Sequence, residues 1–187
     1  DEYRNVAIVK LLIGKGADIN SKDSLLTTPL MKPAHTGDVE MVKLLIELGA
    51  DVNYYNRKDM TSTHPVGYSV LGLAIGDGPD ATKTVKILLD NGAHINDEEG
   101  MLFLCGENYN IFEMLIEKGA DVNHTDKNDN TALIMASYHG HTNIALALIG
   151  KVAGLDHKNQ YGNTALMLAS AQGHTTIALA LIAAGAD

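Results

Sequence analysis

The sequence contains no tryptophan, two phenylalanines and one cysteine in 187 residues. A single cysteine excludes an intramolecular disulfide and is typical of a reducing compartment. Because aromatic residues make up only 5% of the chain, a core must rely on Leu, Ile, Val, Ala and Met, a composition that favours closely packed helices. These absences predict a helical protein with a cytoplasmic location.

Basic residues are also scarce, with 14 Lys and Arg against 23 Asp and Glu and a formal charge of −9. A surface of this sign repels phosphate backbones, so we expect no nucleic-acid partner. No apolar run approaches the roughly 18 residues that cross a bilayer, so we expect no membrane insertion.

The acidic residues are unevenly distributed. Nine of them, against two lysines, lie between Asp77 and Glu117. This stretch is either a solvated face or a patch for a basic partner, and the sequence leaves both interpretations open.

A recurring phrase dominates the sequence. Gly-Ala-Asp-Ile-Asn at 16–20 returns in closely similar form at 49–53, 92–96 and 119–123, and it begins again at Gly185. The distance from Gly16 to Gly49 is 33 residues, and the same distance separates Thr131-Ala-Leu from Thr164-Ala-Leu. A fixed period of this length predicts a stack of similar structural units.

Each part of the repeat has a physical reason. Thr28, Thr131 and Thr164 precede apolar segments and are predicted to cap a first helix with their hydroxyls. Glycines such as Gly140 are predicted to end that helix, and the Gly of each Gly-Ala-Asp phrase to end a second one, because glycine tolerates positive φ. Asp and Asn then turn the chain into a polar finger. Two short helices cannot bury their apolar face alone, so the copies must stack.

The 33-residue period, Thr-Pro-Leu at 28–30, Gly-His at 140–141 and 173–174, the paired leucines and the Gly-Ala-Asp-Val-Asn phrase together resemble the ankyrin repeat family. The resemblance covers nearly the whole chain. It implies an all-α helical solenoid with short β-hairpin fingers and a partner protein on the concave face of finger tips and first helices. The matching positions are Lys127, Asn128, Asn130, Tyr138, His139, Gln160, Tyr161, Asn163 and Gln172, with Ser24, Leu25, His35 and Thr36 in an earlier repeat.

The chain is interpreted as one ankyrin repeat domain over residues 1–187. A half repeat at 1–17 is followed by repeats at 18–50, 51–93, 94–120, 121–153 and 154–186. The opening unit lacks its first helix and the last unit shows no polar capping pattern, so we expect a fragment of a longer array. The alternative is a natural chain with a frayed start.

Four features depart from the repeat pattern, and the irregular fingers among them mark the places where specificity is expected. The finger at 54–68 is extended, and its Tyr54, Tyr55, Arg57 and Lys58 are residue types favoured in interfaces, although loops also tolerate harmless insertions. The finger after Asn96 is almost absent. Pro33 lies inside a first helix and predicts a shortened one, and Leu25 and Leu26 form an apolar pair at a finger tip.

No constellation for chemistry is visible. Cys105 lies in an apolar run and is interpreted as a packed thiol. His139 and His141 lack further ligands at metal-binding spacing. His141 and His174 share one repeat position, which favours a structural role. We therefore predict no enzyme, no cofactor and no metal.

The best interpretation of function is a monomeric scaffold for protein–protein interaction. One alternative is the targeting or substrate-recognition part of a larger enzyme or of a secreted bacterial effector, which would place it in a host cytosol. A purely structural spacer is a third, and it would lack clustered anchor residues on any face.

Overall fold

The computed structural model describes residues 2–56, 68–76, 78–95, 100–151 and 154–187, with side chains over the same ranges except at 2–5 and 68. The described residues are mostly helical, which confirms the predicted fold class. The chain packs as two compact units, Asp1–His94 and Ile95–Asp187, called here the N-terminal unit and the C-terminal unit. The repeat boundaries within them stay a prediction.

The N-terminal unit has a single helix followed by two helix pairs and a short hairpin. Its elements are α1 (Glu2–Gly14), α2 (Met31–Thr36), α3 (Val39–Glu47), β1 (Tyr55–Asn56), β2 (Tyr68–Ser69), α4 (Val70–Ala74) and α5 (Ala81–Asp90). The two strands are antiparallel, with Tyr55 opposite Ser69. Helix α2 packs against α3, α4 and α5. Val42, Leu71 and Leu88 are almost fully buried in this core.

The C-terminal unit consists of three helix pairs. Its helices are α6 (Met101–Leu104), α7 (Tyr109–Glu117), α8 (Ala132–His139), α9 (Thr142–Gly150), α10 (Ala165–Ala171) and α11 (Thr175–Ala183). Helix α8 packs against α6, α9 and α10, while α9 packs against α7 and α11. Phe112, Leu133 and Leu148 are buried between them. The first two helix pairs of this unit are therefore each covered by the pair that follows in the sequence.

Threonine caps begin two of the first helices, as predicted. The hydroxyl oxygens of Thr131 and Thr164 accept hydrogen bonds from the backbone N–H groups of Ile134 and Met167, at 3.3 Å in each case. Both threonines have extended backbone, as an N-cap requires.

The predicted cap at Thr28 is wrong. Helix α2 begins at Met31, its N-cap residue is Leu30, and no side chain caps it. The helix has six residues where α8 has eight. Pro33 accounts for the later start, because its missing N–H is harmless only within the first turn, where amides have no helical acceptor. The shortening predicted from Pro33 is thus confirmed.

Side chains at the third position of one repeat bind the backbone that begins the next. The Oδ1 atoms of Asn20 and Asn123 accept the N–H groups of Asp51 and Gly154, at 2.8 and 2.9 Å. Asn53 accepts the N–H of His94 at 2.7 Å in the same way. Because each of these bonds joins adjacent repeats, the terminal Asn of the repeated phrase aligns them.

The finger turns use one backbone geometry with three different residues. Leu26, Asp129 and Gly162 occupy the same turn position and all have positive φ, of 59°, 58° and 76°. In each turn their N–H bonds to a carbonyl three residues earlier. Gly and Asp adopt this left-handed region readily, whereas a leucine there is strained.

Gly140 and Gly173 form a matched pair for testing how closely the repeats pack. Both have left-handed backbone, with φ of 77° and 74°. A Cβ at Gly140 would lie 2.5 Å from the His174 ring, whereas a Cβ at Gly173 would meet no atom within 4 Å. We expect Gly173→Ala to cost about 1 kcal/mol from backbone strain. Gly140→Ala should cost roughly 1 kcal/mol more, since the ring must move from its hydrogen-bonding position. Equal urea midpoints for the two variants would contradict this, because they would show that the His174 ring moves aside at no cost in stability.

The strained Leu26 predicts a stabilising substitution. Leu26→Asn should raise the free energy of unfolding of the N-terminal unit by about 0.5–1 kcal/mol, because Asn tolerates left-handed backbone. Leu25→Asn is the control: it removes the neighbouring exposed leucine, whose φ is not positive. Thermal and urea unfolding of both variants measure the difference. A Leu26→Asn variant no more stable than Leu25→Asn would contradict the strain.

Candidate protein-binding face

The two fingers described in the C-terminal unit, at residues 124–130 and 157–163, are each closed by one polar side chain. The Asp126 carboxylate accepts the N–H groups of Asn128 and Asn130 at 2.8 and 2.9 Å and the Asn130 amide at 2.9 Å. Asn159 holds the next finger through the N–H groups of Tyr161 and Asn163, both at 3.0 Å. These turns hold the predicted finger-tip residues in a defined backbone conformation.

The two fingers are also joined to each other. Gln160 donates its backbone N–H to the Asn128 carbonyl at 3.0 Å and its amide to Asn128 Oδ1 at 2.9 Å. Asn159 donates to Asn130 Oδ1 at 2.8 Å. A ring nitrogen of His157 lies 2.8 Å from the Asp129 carbonyl oxygen. The fingers therefore form one hydrogen-bonded surface rather than separate loops.

The predicted contact residues of this unit divide by burial. Asn130 is only 9% exposed. Its side-chain amide donates to Asp126 in its own finger and accepts from Asn159 in the next, so Asn130 aligns the two fingers. Asn163 is half-buried. Tyr138 and Tyr161 are 45% and 71% exposed. The remaining exposed members of the predicted set are Lys127, His139, Gln160 and Gln172.

Residues that align the fingers were missed by sequence reasoning. Asp126, His157 and Asn159 organise the surface, yet none was singled out as a site residue. The repeat period could have pointed to Asp126 and Asn159, because they are 33 residues apart and so share one repeat position. His157 likewise lies 33 residues after His124, so the period marked its position as well.

A histidine cluster, formed by His139 and His141, lies next to Tyr138. The His139 ring meets the Tyr138 ring edge-on at 4.9 Å and stacks on His141 at 5.5 Å. His141 Nδ1 lies 3.8 Å from Glu107 Oε1, too far for a hydrogen bond. A cleft of about 220 Å³ adjoins the two rings and is floored by Leu102, Phe103 and Met135, among other residues.

The histidines at the start of the second helices do not act as caps. Neither His141 nor His174 accepts a hydrogen bond from its helix, whereas Asp38 and Asn108 do so at the same repeat position. A ring nitrogen of His174 instead lies 3.2 Å from the Tyr138 carbonyl oxygen. His174 thus ties one repeat to the end of the preceding first helix.

In the N-terminal unit, Tyr54 braces the preceding finger. Its hydroxyl donates to the Leu26 carbonyl at 2.9 Å, and Lys22 Nζ lies 4.7 Å from the centre of its ring. Tyr55 is half-buried in β1. Arg57 and Lys58, and most of the extended finger, lie outside the described residues. Their predicted contact role therefore stays a prediction.

The finger that carries Leu25 and Leu26 is closed by Asp23. Its carboxylate accepts the Thr27 hydroxyl at 2.7 Å and the N–H groups of Thr27 and Leu25 at 2.8 and 2.9 Å. These hydrogen bonds, that of the Thr27 hydroxyl first, hold the pKa of the Asp23 carboxyl below its ordinary value. The leucine pair at this finger tip is exposed, at 55% and 42%.

The single cysteine is unsuited to act as a nucleophile. Cys105 is buried, and burial raises the pKa of its thiol to about 12, so a thiolate nucleophile is absent at neutral pH. Within the described ranges, no three or more His, Cys, Asp or Glu side chains are placed to hold a metal ion. No helix in those ranges is long and apolar enough to cross a membrane.

Comparison with known proteins agrees with this architecture. A family model described as ankyrin repeats (3 copies) matches residues 2–99 and 101–187. The crystal structure of the human ASB11 ankyrin repeat domain matches with a TM-score of 0.81 at 23% identity, over 100% of this chain and 81% of that chain. A search of curated proteins found no match. On the family match over nearly its whole length, the chain belongs to the ankyrin repeat family.

Proposed function

We propose that the chain is a protein-binding scaffold whose C-terminal unit holds a partner on its fingers and first helices. Ankyrin repeats generally serve as protein–protein interaction modules, which supports the class of function. The observation that carries the choice of face is Tyr161, 71% exposed on a finger that is hydrogen-bonded to its neighbour. A large exposed aromatic side chain on an ordered backbone loses little entropy when it is buried by a partner.

The proposed face combines two tyrosine anchors with polar neighbours. Tyr138 extends from the end of α8, and Tyr161 lies at a finger tip. Lys127, Gln160 and Gln172 supply exposed donors around them. Tyrosine offers both apolar area and a hydroxyl, a combination enriched at binding hot spots. No bond is made or broken in this function, so the face needs no cofactor.

Alanine substitutions test the anchors. Tyr138→Ala and Tyr161→Ala should each weaken partner binding about tenfold or more, because hot-spot tyrosines contribute roughly 1–2 kcal/mol or more. Folding should be unaffected, since both side chains are exposed. The measurement is capture from cell lysate by the wild type and by each variant, quantified by mass spectrometry.

Tyr109 provides the matched control for these variants. It is a tyrosine of the same unit, 37% exposed, but it lies on the second helix α7 rather than on a finger or a first helix. Tyr109→Ala should keep every partner. If both anchor variants retain all partners that the wild type captures, the proposed face is wrong.

The histidine cluster makes the stability of this unit pH-dependent. Burial and the neighbouring His139 lower the pKa of His141 below its ordinary value of 6.5, and Glu107 opposes the shift. The unfolded chain therefore takes up a proton before the folded chain does. The contribution of neutral His141 is present above pH 6.5 and is lost as the pH falls through the folded pKa.

His141→Asn should flatten that pH dependence. Asn does not titrate, and Asn108 caps the equivalent helix by accepting the Ile111 N–H at 3.2 Å. Urea unfolding of the variant should lose less stability than the wild type between neutral pH and about pH 5. His35→Asn, at an exposed histidine of α2, is the control and should keep the wild-type slope. Identical slopes for all three proteins would exclude His141 as the source.

A further inference from the structure

A basic cleft lies beside the finger of the N-terminal unit. It has a volume of about 510 Å³ and runs between the finger and the start of α2. Lys22 and Lys32 line it together with Thr27, Pro29 and Pro33. Both lysines are exposed. The protein has a net charge of −9, so two ammonium groups in one cleft make its local charge opposite to that of the whole chain.

The charges in the cleft are available to a partner. In the described part of the chain, neither Lys22 nor Lys32 forms an ion pair, and the Lys22 ammonium lies over the Tyr54 ring. Asp23 also lines the cleft, but three hydrogen bonds within the finger occupy its carboxylate. Asp23 keeps its negative charge, so the two lysines leave the cleft with a net charge of +1, and the Asp23 oxygens already have hydrogen-bond donors within the finger.

An exposed apolar pair adjoins these charges. Leu25 and Leu26 are 55% and 42% exposed, and Leu26 holds a left-handed conformation that suits Asp or Gly at the same position elsewhere. The next finger braces the pair, because Asn56 donates to the Leu25 carbonyl at 3.0 Å and Tyr54 to the Leu26 carbonyl at 2.9 Å. Leu26 is therefore exposed yet held in one backbone conformation by its neighbours, so the finger tip is ordered before a partner binds.

We propose that this cleft binds an extended acidic peptide segment of a partner protein, with its carboxylate between Lys22 and Lys32 and an adjacent apolar side chain on Leu25 and Leu26. The proposal rests on the proposed scaffold function and adds the chemistry of a partner. Charge complementarity favours a carboxylate, and the apolar pair favours a peptide over a polyanion that carries only phosphate groups. Pro29 and Pro33 offer apolar walls that need no further hydrogen bonds.

The test is a selection of random peptides displayed on phage against the full chain. Enriched sequences should carry Asp or Glu next to a large apolar residue. Synthetic copies, followed by fluorescence anisotropy, should bind the Lys22→Glu/Lys32→Glu variant at least about tenfold more weakly than the wild type. Added salt should weaken binding to the wild type. Lys10→Glu/Lys15→Glu changes the net charge equally at exposed lysines outside the cleft, so binding should persist.

The leucines are tested separately from the charges. Leu25→Asn/Leu26→Asn should lose the enriched peptides while its folding, followed by circular dichroism, is retained. The proposal is overturned if the peptides bind the Lys22→Glu/Lys32→Glu variant as tightly as they bind the control pair. If Tyr138→Ala abolishes binding instead, this cleft is excluded while the scaffold function stands. Enrichment of no peptide overturns this proposal and leaves the scaffold function, which capture from lysate tests separately, standing.

A second copy of the chain is the competing occupant. Its acidic surface could also meet Lys22 and Lys32. Sedimentation velocity of the wild type and of Lys22→Glu/Lys32→Glu distinguishes the two. A dimer that dissociates in the variant would replace the peptide with a second copy and overturn the proposal, whereas a monomer in both samples supports it.

Discussion

Within each unit, the structure depends on neighbouring repeats covering and aligning one another. A pair of short helices exposes one apolar face, and residues such as Leu88 and Leu148 are fully buried in the core that the packed pairs form. Apolar packing alone does not set the register. A side-chain oxygen that accepts the backbone N–H of the following repeat does so, as Asn20 and Asn123 show.

The same constraint accounts for the ordered fingers. Once adjacent repeats are aligned, side chains of one finger reach the carbonyl groups of the previous one. In the C-terminal unit Gln160 bonds to Asn128, and in the N-terminal unit Tyr54 bonds to Leu26. Finger tips with so many internal hydrogen bonds lose little freedom on binding, which suits a recognition surface. The strain at Leu26 is tolerated because the surrounding bonds hold the turn.

Sequence reasoning succeeded where a local rule acts within one repeat. The caps at Thr131 and Thr164 and the left-handed glycines followed from residue type and position. It failed at Thr28, where Pro33 five residues later moved the start of the helix. It also treated Asn130 as a surface residue, because the period places it at a finger tip and gives no sign of the amide of Asn159 beside it. The contact roles of Arg57 and Lys58 remain predictions.

The repeat period by itself determined the family, the helix pairs and the places where the chain turns, because these depend on local backbone preferences and on apolar spacing. Tertiary structure decided which polar side chains remain available. Asp156 is one that is taken up by such a bond. It stands where other repeats have the Asn of the repeated phrase, and its carboxylate accepts the Asp187 N–H at 2.9 Å, just as Asn20 and Asn123 accept the N–H groups that begin the next repeat. Whether an Asn or a Tyr faces solvent depends on hydrogen bonds between residues about thirty positions apart, and only the folded stack brings those residues together.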